Sequence, residues 1–304
     1  MDRAPGPAPP GLFGQAQTRG RARALLFASG VLFGLLAVLA RVSSQLGLSP
    51  AQVATIRFSA STVMMLAAFR AWPGTFRPLN PRLLVARGAL GGVAALLYFG
   101  ALSLIPAGQA TLLNNTFPVF AVAISYFTLG ERPSWQILLA LAVTSAGVFL
   151  VLGGSGVGAS FGWGQVAGIA SAILAAGAVA CVRALRADHN AATIFFAFSV
   201  GGAVVSFPFA FGPWTAAPLA WAAALAAALV AFAAQFLMTE AYGALTVAEA
   251  AVWQQLTPVA SYLWAMGLLG ERLSPLGAAG VAVGAAGVVY ASIQGRRPPE
   301  AEEA

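Results

Sequence analysis

The chain has no lysine, a single cysteine and a single histidine, and only 8% of its 304 residues are charged. Each scarcity removes a class of protein. An average soluble domain is roughly one-quarter charged, and a water-soluble chain of this length could not cover its surface with so few charges. The protein is therefore read as an integral membrane protein. The lone Cys181 excludes an internal disulfide. With only His189 beside it, the usual metal cluster cannot be assembled. His189, next to Asp188, reads as a solvated loop residue with no serine partner nearby, so no Ser/His/Asp constellation forms. No catalytic dyad stands in the apolar segments. Neither an enzyme nor a cofactor is expected. All 16 basic residues are arginine, which suggests a GC-rich bacterial genome. The net charge of +7 is no evidence for nucleic acid, because in a membrane protein the placement of arginine carries the information.

What the chain has is apolar length. It is 59% hydrophobic, with a mean hydropathy of +0.82. A spanning helix needs about 20 mainly apolar residues. Ten segments qualify: 24–42, 50–69, 84–104, 107–128, 133–152, 162–183, 191–211, 217–241, 246–268 and 274–293. The fold class expected is all-α, a polytopic bundle of ten transmembrane helices. Residues 1–20, rich in proline, glycine and alanine, and the polar residues 295–304 read as disordered cytoplasmic tails. The Gly153-Gly154-Ser155-Gly156-Val157-Gly158 stretch lacks a following Lys-Ser/Thr and a preceding strand. It reads as a linker, not a phosphate loop.

One stretch occurs twice. Asn114-Asn115-Thr116-Phe117-Pro118 leads through an apolar helix to Leu129-Gly130-Glu131-Arg132-Pro133-Ser134. After 140 residues come Gln254-Gln255-Leu256-Thr257-Pro258 and Leu269-Gly270-Glu271-Arg272-Leu273-Ser274. Without a gap, 12 of 39 positions are identical. A repeat this long indicates a duplicated fold unit. The expected units are residues 21–153 and 154–294.

Arginine fixes the orientation. With ten spans and the N-terminus inside, 13 arginines fall on cytoplasmic segments, Arg87 among them. Only Arg41 and Arg272 fall outside, and Arg57 lies within the second span. That is a positive-inside bias, with both termini cytoplasmic. Five spans per unit is an odd number, so the two repeats must be inverted. Inverted repeats permit two mirror-related conformations, the basis of alternating access.

The duplicated proline and Leu-Gly-Glu pattern in ten spans resembles the EamA family of the drug/metabolite transporter superfamily, over about residues 23–294. The resemblance implies two five-helix repeats around a central pocket and small organic cargo, often amino acids moved outward. The bacterial inner membrane and a small-molecule substrate are the expected partners, with a homodimer allowed. A sugar phosphate is not favoured, since the chain lacks lysine. The alternatives are a proton-coupled drug or other-metabolite exporter and, from another class, a non-transporting membrane scaffold.

Several residues are candidates for cargo. Pro118 and Pro258 lie inside the fourth and ninth spans and read as hinges or static bends. Before each stands a carboxamide pair, Asn114-Asn115 and Gln254-Gln255. Adjacent residues lie about 100° apart on a helix, so one member of each pair faces the pocket. Glu249, one turn before Trp253, is read either as a ligand for an amine or proton or as an interface residue; Glu240 is the second choice. Arg57, within the second span, either clamps a carboxylate or snorkels to headgroups. Tyr98 and Trp253 are candidates for an aromatic wall, and Gln235 for a buried polar contact.

Overall fold

The computed structural model describes residues 18–104, 113–153, 162–270 and 275–294. The readings at residues 1–17 and 295–304, the glycine stretch from 154 on, and the second Glu271-Arg272 corner lie outside the described residues. Every regular element among them is helical. Six helices, α1 Arg19–Gln45, α2 Pro50–Ala71, α3 Pro81–Leu104, α6 Trp163–Leu185, α7 Ala191–Ser206 with a 3₁₀ turn Phe207–Phe209, and α8 Pro218–Ala241, are long and apolar enough to cross a membrane. Shorter or broken apolar helices complete the set: α4 Phe117–Leu129, α5 Trp135–Gly153, α9 Val247–Gln254, α10 Leu256–Leu269 and α11 Pro275–Gln294. Large apolar side chains face outward, with Phe127 82% and Phe211 77% exposed. Such a surface needs lipid, not water. The protein is an all-α polytopic membrane protein.

Local chemistry sets the helix ends. Ser49 and Gln52 form a capping box at the start of α2, with Gln52 N–H donating to Ser49 Oγ at 3.2 Å and Ser49 N–H to Gln52 Oε1 at 2.8 Å. Pro50 follows at the first helical position, where its missing N–H costs nothing. The repeated Leu-Gly step is a helix stop in both units. Gly130 ends α4 at φ 66°, and Gly270 ends α10 at φ 67°. A side chain at either place would be strained in this left-handed conformation.

Packing pairs α1 with α8 and α3 with α6, α3 with α7 and α2 with α8, and α1 with α10 and α4 with α6. Each pair becomes its partner under the 140-residue relation. The α5–α11 contact maps onto itself. A Cβ on Gly147 would collide with the Gly284 backbone and lie 2.8 Å from Gly280 O, while one on Gly287 would lie 2.5 Å from Thr144 Cγ2 and 3.1 Å from Ala140 O. These are the same contacts with the roles of the two helices exchanged. In lipid, where apolar surface gains little by leaving the bilayer, such close approach is what binds helix to helix.

His189 departs from the sequence reading. It is only 4% exposed, and its Nε2 accepts from the backbone N–H groups of Leu79 and Asn80 at 3.0 and 3.1 Å. Its Nε2 fixes the chain entering α3, and it is not a solvated loop residue. Nothing in the local sequence signals this, because the donors come from 110 residues earlier in the chain.

Candidate functional site

The two carboxamide pairs sit at breaks in the helix path. Residues 113–114 are helical, 115–116 form a turn, and α4 starts at Phe117. In the second unit α9 ends at Gln254, Gln255 is a turn, and α10 starts at Leu256. The sequence places the bend at the proline; the structure places it two to three residues earlier. The reason lies in the backbone. A proline has no N–H for the carbonyl four residues before it. Pro118 thus frees the carbonyl of Asn114, and Pro258 that of Gln254. In a membrane such groups persist only where protein or a wet cavity satisfies them.

The side chains at the breaks diverge. Asn114 Nδ2 donates to Ser171 Oγ of α6 at 2.9 Å. Gln254 donates to the hydroxyl of Tyr242, and Gln255 Nε2 donates to Ser145 Oγ of α5 at 2.9 Å. The second pair is therefore split, with Gln254 directed inward and Gln255 toward α5. Asn115 is half-buried in the first turn. Trp253 is half-buried and packs against two core clusters, one that includes residues of α1, α6 and α8 and one that includes residues of α5, α9 and α11. Tyr98 lies in a half-buried stretch of α3 and packs at 5.8 Å on Phe99. Gln235 is 4% exposed, and its amide reaches Met238 Sδ at 3.9 Å, a weak acceptor.

Two arginines occupy the interior. Arg57 is half-buried within α2. Its guanidinium lies 4.9 Å from the Phe58 ring centre and 6.0 Å from that of Phe198. Arg87 was assigned to a cytoplasmic segment on sequence grounds, but it is only 3% exposed inside α3. Its guanidinium stacks 3.9 Å from the same Phe198 ring, and its Nε has no hydrogen-bond partner. A Cβ on Gly91, one turn along α3, would collide with the Arg87 head. That glycine, four residues after the arginine, was the available sequence signal. Arg87 also interacts electrostatically with Tyr242. Burial raises the Tyr242 phenol above its usual range, partly offset by the bond from Gln254, so Tyr242 stays neutral. Gln254 thus holds Tyr242, and Arg87 and Arg57 share the Phe198 ring.

Glu249 and Glu240 are spent at one end of the bundle. Glu249 caps α9 through Thr246 and pairs with Arg23 at 3.5 Å. Glu240 pairs with Arg186 at 2.8 Å. Glu131, from the repeated corner, pairs with Arg183 at 2.8 Å and accepts from the Val247 N–H at 2.8 Å. Burial pulls the Arg186 guanidinium down from its usual range, and Glu240 opposes this.

No group of three or more metal-ligating side chains is found among the described residues. A solved crystal structure superposes on 91% of this chain and 100% of its own at a TM-score of 0.76 and 22% identity, a likeness of fold alone. The pseudopaline exporter CntI of Pseudomonas aeruginosa, in strains UCBPP-PA14 and PAO1, is 26% identical over 197 residues, 64% of this chain and 69% of the relative. The EamA-like transporter family matches twice, over residues 21–153 and 162–293. With its apolar helices and repeated breaks, the chain belongs to the EamA-like transporter family, and is a membrane transporter of small molecules rather than an enzyme.

Proposed function

We propose that the chain exports small polar metabolites, amino acids first, by rocking two inverted five-helix repeats about a central cavity. The repeats are residues 21–153 and 154–294. The membrane is the bacterial inner membrane, with both termini cytoplasmic. The reading carries no nucleic-acid partner and allows a homodimer. The observation that carries it is the matched pair of helix breaks, each placing a freed carbonyl beside a carboxamide. Amides and carbonyls offer both donors and acceptors, as a zwitterion requires. The reciprocal packing supports inversion.

In this reading Asn114, Asn115, Gln254, Trp253, Tyr98, Gln235 and Arg57 contribute to the cargo path. Pro118 and Pro258 hold the breaks that flex, and Glu249 acts through its cap and ion pair. The test is counterflow of labelled amino acids in proteoliposomes, with and without a pH gradient. Saturable uptake against preloaded cargo is expected. Uptake that never saturates would indicate a channel, and no uptake of any small solute would leave a scaffold.

The likeness to a pseudopaline exporter favours a second reading, in which the cargo is pseudopaline or a compound like it. Competition by pseudopaline in the same counterflow assay separates the two.

A further inference from the structure

We infer that Arg57 and Arg87 form one anion site within the cargo path, built for a small organic dianion with two carboxylates on a short carbon skeleton. The inference rests on the transport reading for its location and deepens it by naming the substrate class. Both guanidiniums lie against Phe198, at 6.0 and 3.9 Å from its ring centre, so they are no further apart than those two distances laid end to end. They repel each other. Two like charges enclosed in a membrane protein are costly unless something neutralises them.

No carboxylate among the described residues does so. Glu131, Glu240 and Glu249 are engaged by Arg183, Arg186 and Arg23, and Asp188 is exposed in the turn after α6. Aromatic faces attract the cations but do not cancel their charge. Arg87 is 3% exposed with its Nε left without a partner. Among the described residues nothing accepts from that donor. Arg57 keeps part of its surface accessible. A guanidinium matches a carboxylate in a planar two-point contact. Phe58 and Phe198, edge to face at 5.2 Å and themselves buried, hold the two guanidiniums beside one ring. Two carboxylates on a short carbon skeleton offer one two-point contact to each guanidinium across that span.

The test uses one skeleton at three charges: succinate, its monoamide and its diamide. Binding is measured on the purified full-length protein in detergent, so that it does not depend on transport. Inorganic phosphate, and chloride against gluconate, are separate arms. Each carboxylate replaced by amide should weaken binding by about tenfold or more. Arg57→Gln should bring succinate down to the affinity of the monoamide, and Arg57→Lys should recover part of the difference. Arg87→Gln should do the same in protein whose melting transition remains cooperative. Should that variant not fold, the Arg57 pair of variants decides the matter. Equal binding of all three analogues overturns the inference, as does an Arg57→Gln series unchanged from wild type. Phosphate or chloride displacing succinate at equal concentration also overturns it. Neutral amino-acid counterflow with no succinate binding sinks the dianion and spares the transport reading. Succinate binding without counterflow of any solute does the reverse.

Discussion

At the arginine-rich end of the bundle, Glu131 ties the last turn of α6 to the first residue of α9, and Glu240 and Glu249 hold Arg186 and Arg23. At the opposite end, neutral groups make several of the contacts: Gln52 Nε2 to Pro213 O at 3.2 Å, Ala217 N–H to Leu46 O at 3.4 Å, and Trp214 stacked on Trp221 at 5.7 Å. Toward that end α1 also leans on α10, where a Cβ on Gly34 would lie 2.5 Å from Ser261 N. Charge thus ties the arginine-rich end, and close backbone approach contributes toward the other. Both sets of contacts include ones that join the two halves of the chain. In an alternating-access protein the two must open in turn, and charge and packing respond to different perturbations. Salt screens exposed charge, whereas close packing is indifferent to salt.

The largest effect should follow removal of the central charge. Glu131→Gln leaves Arg183 without its counter-ion, and Arg183 is partly exposed, so water recovers some of the loss. The expected cost is about 2–3 kcal/mol, toward the low side for a broken buried pair. It should appear as a lower melting temperature in detergent and as faster maleimide labelling of cysteines introduced at that end. Next comes Gly34→Leu. It forces α1 away from α10 and should cost about 1–3 kcal/mol by overpacking. Labelling should rise at the opposite end while the arginine-rich end stays protected. If both variants opened the same end, the comparison would fail. The smallest effect belongs to Arg23→Gln. The Arg23–Glu249 contact is long, at 3.5 Å, and Glu249 keeps its cap on Thr246. A change of about 0.5 kcal/mol or less in stability is expected, read from the same melts.

Much of this was legible in the residues because the membrane enforces simple rules. Apolar runs of spanning length located the long helices, and the 140-residue identity located the repeated corner. The Leu-Gly-Glu motif could be recognised as a repeat, but the role of Glu131 could not, since Arg183 and Val247 come from distant helices. Pro118 and Pro258 marked the breaks only approximately, because the helix yields where a carbonyl is freed and not at the ring itself. Arg87 was misplaced for a physical reason. An arginine near the cytoplasmic start of a span ordinarily reaches headgroup water. Here Phe198 from α7 and the space left by Gly91 turn it inward. Glu249 reads from sequence either as a ligand or as an interface residue, and the structure gives it a cap on Thr246 and a pair with Arg23.

The most direct measurement concerns the two repeated corners. In a variant with Cys181→Ala, single cysteines are placed by Arg132→Cys and by Arg272→Cys, and right-side-out vesicles are exposed to a membrane-impermeant maleimide. Inverted repeats predict that the Arg272→Cys protein labels at once and the Arg132→Cys protein only after lysis. Labelling of both from the same side would contradict the inversion and with it the transport cycle built on it.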